Sequence, residues 1–217
     1  FSLGSGAQGL DGLFSSFRAT LGVRRYEHAE LEGEEVGTLF SNDTTELEVM
    51  GSHRAFGRLS GSVGGWVLDR AFDAQGAEAL SPAVDQRGFA AFLYEELTWP
   101  HATLQFGGRV DRTRFAPVGE PERAFTNGSG SVGLLLRPAA ANDSFTLALS
   151  VARAARNPAL EELFFFGLHH GNFAIELGNP DLQSERAIGF DASVRWRSSR
   201  VSGEVTYFRN DGTANET

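Results

Sequence analysis

The chain has 217 residues, a formal net charge of -9, no cysteine, one methionine, 26 glycines and 18 phenylalanines. The acidic balance argues against an electrostatic nucleic-acid binder, which carries a basic face, and the lack of cysteine removes disulfides and thiolate metal sites. No run of about 18 apolar residues is present, so no transmembrane helix is expected.

No charged-then-apolar leader opens the chain. Phe1 reads as the tail of a strand and Gly212 to Thr217 as a loop, so both ends are expected to be cuts in a longer protein. In between, apolar and polar residues alternate over segments of about ten, the pattern of strands with two different faces. The predicted strands run in chain order over Phe17–Tyr26, Thr45–Met50, Arg58–Leu68, Gly88–Leu97, Thr103–Asp111, Ser129–Arg137, Phe145–Ala152, Ile188–Trp196 and Val201–Phe208. The intervening segments alternate between long (27–44, 69–87, 112–128, 153–187) and short (51–57, 98–102, 138–144, 197–200). That order predicts an up-and-down outer-membrane barrel, whose turns are short on one side and long on the other.

Five strands have a clear parity. One face carries Leu59, Gly61, Val63, Gly65 and Val67, then Leu104, Phe106, Gly108 and Val110, with matching sets from 145–151, 188–196 and 201–207. None of its 22 positions is charged. The opposite face has six charged residues among 22: Arg58, Arg109, Asp111, Asp191, Arg195 and Glu204. A lipid-facing surface excludes charge because an Arg or Lys at the bilayer midplane costs about 2–4 kcal/mol, while a water-filled lumen accepts it. Trp99 and Trp196 beside short turns, and Tyr207 toward the far end of its strand, fit aromatic girdles. Two segments resist the pattern. Glu95 and Glu96 place one carboxylate on each face of their strand unless a bulge intervenes, and Tyr26 is out of phase with Ala19, Leu21 and Val23. The same alternation also describes a soluble β-sandwich serving as a binding or adhesion module.

Motifs for chemistry are few. Gly4-Ser5-Gly6-Ala7-Gln8-Gly9 and Gly128-Ser129-Gly130-Ser131-Val132-Gly133 match a dinucleotide spacing but lack a strand-to-helix setting, and read as turns or small-residue strands. No nucleophile elbow, phosphate loop or zinc-protease signature appears. The sequence is therefore read as a non-enzyme without a cofactor. His53 and His101 fall in short turns and are expected to be exposed, while His28 stands in an acidic segment. In the longest connection, His169 and His170, with Asn172 close by, are candidate contacts for a metal or metal chelate, against a plainer reading as ordinary loop polarity.

The segment 150–191 contains Arg156-Asn157-Pro158, then Leu160-Glu161-Glu162-Leu163-Phe164, then Gly178-Asn179-Pro180-Asp181-Leu182 and Glu185 before a fresh strand. This paired motif resembles the barrel of TonB-dependent receptors, from about residue 13 to 210. The resemblance implies an all-β, antiparallel transmembrane barrel in the outer membrane of a Gram-negative-type bacterium, of which this chain supplies nine or ten strands from a larger, 22-stranded wall. It also implies import of a scarce nutrient such as a ferric siderophore, haem, cobalamin or a metal ion. The expected partners are that ligand, outer-membrane lipid, and the TonB energy-coupling complex acting through an N-terminal region. Residues 1–217 read as barrel throughout, with no segment resembling a plug domain. Pro158 is expected to end a strand, Leu160 and Leu163 to bury one helical turn with Glu161 and Glu162 toward water, and Asn179-Pro180 to set a turn.

Overall fold

The computed structural model of the chain describes residues 1–76, 79–138, 144–169 and 174–213. Ten strands form one antiparallel sheet: β1 (Ser2–Gln8), β2 (Phe14–Glu32), β3 (Glu35–His53), β4 (Leu59–Gly76), β5 (Val84–Thr98), β6 (Ala102–Pro117), β7 (Arg123–Leu136), β8 (Phe145–Arg156), β11 (Glu185–Arg197) and β12 (Ser202–Thr213). Each pairs with its neighbour in sequence, except that β8 pairs with β11. Between those two lie the short helix α1 (Leu160–Phe164) and a hairpin of β9 (Phe166–His169) and β10 (Ala174–Leu177). The sheet is open, with β1 and β12 at its edges.

All nine strands read from the alternation are present, and β1 is added before them. The first three-glycine segment begins inside β1 and the second lies inside β7, so neither forms a phosphate loop. Three of the expected long loops are corrected. Residues 27–44 are almost all ladder, broken by a turn at Gly33-Glu34 where Gly33 takes a left-handed φ of 66°. Most of 69–87 and 112–128 is likewise paired strand. Strands β2 and β3 reach 19 residues, about twice the 9–11 needed to cross a bilayer. Only the 157–184 connection remains long. Tyr207, expected toward the far end of its strand, falls in the middle of β12, which runs on to Thr213, and is followed on the outer face by Arg209.

The register fixes the two faces. Call the face against which α1 packs the inner face. Direct partners Trp66, Ala90 and Asp111 lie on it, as do Arg195 and Glu204. The outer face carries Val67 opposite Phe89 and Leu47, and Ile188 further along the sheet. These outer side chains are bare: Val67 is 44% exposed, Phe89 56% and Ile188 57%. No second sheet covers them among the described residues. Tyr26 proves to be an inner-face residue, opposite Asn42, which explains its phase.

No bulge rescues Glu95. The β5–β6 ladder runs without a shift through Glu95↔Phe106 and Glu96↔Gln105, so Glu96 is inner and Glu95 outer. Glu95 is instead neutralised by His53, whose Nε2 stands 2.9 Å from its Oε2. The other ring nitrogen faces the Arg54 carbonyl at 2.7 Å. Both imidazole nitrogens meet acceptors, an arrangement that the doubly protonated, cationic ring satisfies. The two side chains bridge over β4 at Gly61, where a Cβ would run into the Tyr94 carbonyl and the Glu95 carboxylate. With exposures of 12% and 18%, His53 is not the solvated turn residue expected from its position.

Removing one partner leaves the other charge on an apolar face. His53→Ala is expected to destabilise the refolded full-length protein by about 1–3 kcal/mol, and Glu95→Gln, which keeps an acceptor for the ring, by less. Denaturant titration in lipid vesicles checks this. Equal losses for the two variants contradict the ion-pair account.

Candidate functional site

The inner face changes character toward the end of the sheet where α1 sits. Phe72, Val84, Phe115 and Phe125 project from four consecutive strands, β4 to β7, and form a buried cluster with Leu160, Leu163, Phe164 and Leu182. Phe115 meets Phe125 and Phe164 edge-on at 6.2 Å. Five residues make a helix too short to persist alone, so α1 exists because its apolar side is buried against the wall. Leu160 and Leu163 are each 1% exposed.

The two halves of the sequence motif meet here. Arg156, at the end of β8, donates to Glu162 Oε1 at 2.9 Å and to Glu185 Oε2 at 3.0 Å. One guanidinium thus ties the helix to the strand that follows the whole insertion. Its other effect is on Glu162, whose carboxyl is held below the usual range by the Arg156 hydrogen bond and then by the Ala159 N–H, donated at 2.6 Å. Pro158 is buried where pairing stops, as expected. Asn157 is locked to the wall: its amide donates to Thr113 Oγ1 at 3.1 Å, and its carbonyl oxygen accepts from Asn127 and from Ser184 Oγ. Asn179 accepts the Asp181 N–H at 2.9 Å in a side-chain turn. Gly178 lies against the helix so closely that a Cβ would stand 2.8 Å from the Leu163 backbone. Arg123 then holds the Leu182 carbonyl at 3.0 Å.

Below this cap the wall is polar. Arg70 donates to Asn42 at 2.9 Å and Gln86 at 3.3 Å and reaches Glu161 at 3.9 Å. Arg109 lies 5.9 Å from the ring centres of both Trp66 and Phe92. Further along, Glu96 accepts from Tyr94 at 2.6 Å and Gln105 at 2.7 Å. These contacts make a rigid, charged lining that can position a solute or a partner domain through hydrogen bonds. Among the described residues no group of three or more His, Cys, Asp or Glu side chains is arranged to hold a metal ion. Of the predicted ligand contacts, His169 closes β9, while His170 and Asn172 lie outside the described residues. Arg70, Asn127, Phe72, Phe115 and Phe125 carried no sequence signal, because they lie in segments read as long loops.

A family model for the β-barrel of TonB-dependent receptor-like proteins matches residues 7–213. The chain belongs to the TonB-dependent receptor family. Solved structures agree on the fold. The copper transporter OprC superimposes with a TM-score of 0.75 at 14% identity, covering 96% of this chain and 37% of that one. A hemophore receptor HasR from Serratia marcescens, in complex with its hemophore HasA and heme, gives 0.74 at 15% identity, covering 97% and 39%. The FrpB iron transporter of Neisseria meningitidis gives 0.73 at 13% identity, covering 96% and 36%. This chain therefore spans less than two fifths of each of those proteins. As in them, the sheet is a partial barrel wall rather than half of a soluble sandwich.

Truncating Leu163 to Ala in the full-length receptor is expected to cost about 2–5 kcal/mol at that site, taken locally as opening of the cap. Hydrogen exchange across 160–165 should accelerate while the β4–β7 ladder stays protected. Acid should act on the same element. Glu162 has its folded-state pKa depressed, so its contribution is present above the ordinary glutamate value of about 4.3 and is lost as pH falls through the folded value. The protection of α1, taken relative to the intrinsic exchange rate at each pH, is expected to be flat from neutral pH down to about 5 and to fall below about 4. Arg156→Ala should remove the larger part of that dependence and leave the part due to the Ala159 N–H. A variant whose acid transition is undiminished contradicts the role given to Arg156.

Proposed function

We propose that this chain is a wall sector of an outer-membrane TonB-dependent receptor that imports a scarce nutrient, and that it acts as a transporter rather than an enzyme. The observation that carries the reading is the segregation of the sheet. One face is free of unpaired charge over a lipid-depth band and is bare. The other is polar and is capped at one end by the α1 cluster. That arrangement suits lipid on one side and a solute path on the other. The capped end is the outer, ligand-receiving side, and the short turns lie toward the periplasm. The similar structures include a copper transporter, an iron transporter and a hemophore receptor with heme, which supports a metal or metal-chelate cargo. The wall's partners in this reading are lipid, the ligand, and the TonB complex acting through other parts of the full protein.

The β9–β10 hairpin stands on the α1 cap: the Phe166 N–H donates to the Leu80 carbonyl, and Gly178, just after β10, donates to Phe165. His169, at the end of β9, and the sequence neighbours His170 and Asn172 are proposed as ligand contacts of the entrance. Expressed at full length, the receptor should fractionate with the outer membrane and show heat-modifiable migration. A panel of ferric siderophores, haem, cobalamin and Cu²⁺ should include one that it binds. Replacing His169 and His170 together by Ala is expected to weaken that ligand at least about tenfold, or about 1.4 kcal/mol. A full-length protein that remains soluble and monomeric without detergent overturns the receptor reading, and undiminished affinity in the double variant removes only the two histidines.

A further inference from the structure

At the short-turn end, side chains tie neighbouring turns to one another. The turn between β3 and β4, residues 54–58, closes on itself: the Phe56 N–H donates to the Leu59 carbonyl at 2.8 Å, and the Leu59 N–H returns the bond at 3.2 Å. On one side, Arg54 donates to the Leu10 carbonyl and to Asp11 Oδ1 at 3.1 Å, in the turn between β1 and β2. On the other, His53 reaches over β4 to Glu95 on β5. The Phe56 ring stacks on the imidazole with 5.3 Å between ring centres. Two consecutive residues, His53 and Arg54, therefore link the β1–β2, β3–β4 and β5–β6 hairpins.

One proton completes the link. The imidazole joins the turn to β5 through two hydrogen bonds in series, to the Arg54 carbonyl at 2.7 Å and to the Glu95 carboxylate at 2.9 Å. A neutral imidazole carries a single N–H. It can keep one acceptor, and it turns a lone pair toward the other. Loss of the proton also leaves the Glu95 charge uncompensated on an apolar face, where an unpaired charge is costly. Nothing nearby replaces it among the described residues. Leu59 and Gly61 flank the pair from β4, Leu104 and Phe106 from β6, and Phe14 and Phe17 from β2. The charged neighbours are Arg54 and Arg58 in the turn and Asp11 beyond it, and Arg54 is already held by Asp11 and the Leu10 carbonyl. The pair keeps an edge open to solvent, through which the proton can exchange.

We propose that His53 and Glu95 form a proton-operated clasp: the protonated ring locks three hairpins together at their short turns, and loss of the proton releases the β3–β4 turn. The cation is the form that both acceptors hold. The clasp is therefore complete below the ordinary imidazole value of about 6.5 and is lost as pH rises through the value of the ring in the folded chain. With the short turns toward the periplasm, the stiffness of that rim follows the acidity of the compartment, whatever the cargo.

Hydrogen exchange in the full-length receptor, reconstituted in lipid vesicles, tests the clasp. The reporters are the Arg54 and Phe56 amides, which donate to the Leu13 and Leu59 carbonyls, each taken relative to its intrinsic rate at that pH. From about pH 6 to about pH 9, wild-type protection over 54–58 is expected to fall at least about tenfold, the size of one lost hydrogen bond to a charged group. The β7–β8 ladder should keep its protection over the same range. His53→Gln, which has no proton to lose, should flatten the dependence, and Glu95→Gln, which keeps an acceptor but removes the charge, should shrink it. Heat-modifiable migration on every sample shows that the variant is folded. Wild-type protection that does not change across this range disproves the clasp, as does a folded His53→Gln receptor that keeps the full fall. If His53→Gln does not fold, an undiminished fall in Glu95→Gln overturns the clasp in the same way.

Discussion

A continuous antiparallel ladder allows each strand two faces and no exchange between them, because a slip of one residue moves every side chain across the sheet. In this chain that constraint is set by charge. The outer face tolerates none unpaired through the apolar band, and the inner face collects nearly all of it. The one violation, Glu95, shows how firmly the register holds. A bulge would have turned the carboxylate inward, yet the ladder stays regular. Instead a histidine two strands away is brought to it across a glycine.

The same ladder gives the inner face its second task. Past the apolar band the strands continue, and their inner residues switch from polar to aromatic, supplying a floor for α1. The helix and the hairpin above it have too few internal contacts to be stable by themselves. They are ordered by burial of Leu160, Leu163 and Phe164, and by one arginine that joins the beginning and the end of the insertion. An insertion built this way has its base fixed to the wall.

Much of the wall was legible in the sequence. Within the apolar band one face is apolar and bare and the other carries the polar groups, so alternation survives in the residue order from Leu59 to Val67 and from Phe145 to Val151. Beyond the band both faces meet water or a partner, and the period-two signal fades although the hydrogen bonds continue. That is why 27–44 and 112–128 read as loops, and why Phe72, Phe115 and Phe125 escaped notice as the floor of the cap. The motif around Asn157 and Gly178 pointed to this region and to its helical turn. It could not reveal that Arg156 closes the insertion, since Glu162 and Glu185 are distant in sequence and meet only when β8 and β11 pair. His53 looked like an exposed turn residue because its partner lies 42 positions away.

The central claim is that the charge-free face meets lipid and the α1 face does not. Spin labels on single cysteines at Val67 and at its neighbour Trp66, in the full-length receptor reconstituted in bilayers, test it directly. The label at position 67 should be quenched by oxygen dissolved in the hydrocarbon and shielded from a water-soluble nickel chelate, and the label at 66 should not share that lipid signature. Equal access of the nickel chelate to both positions, or a lipid signature at 66 instead of 67, would contradict the account.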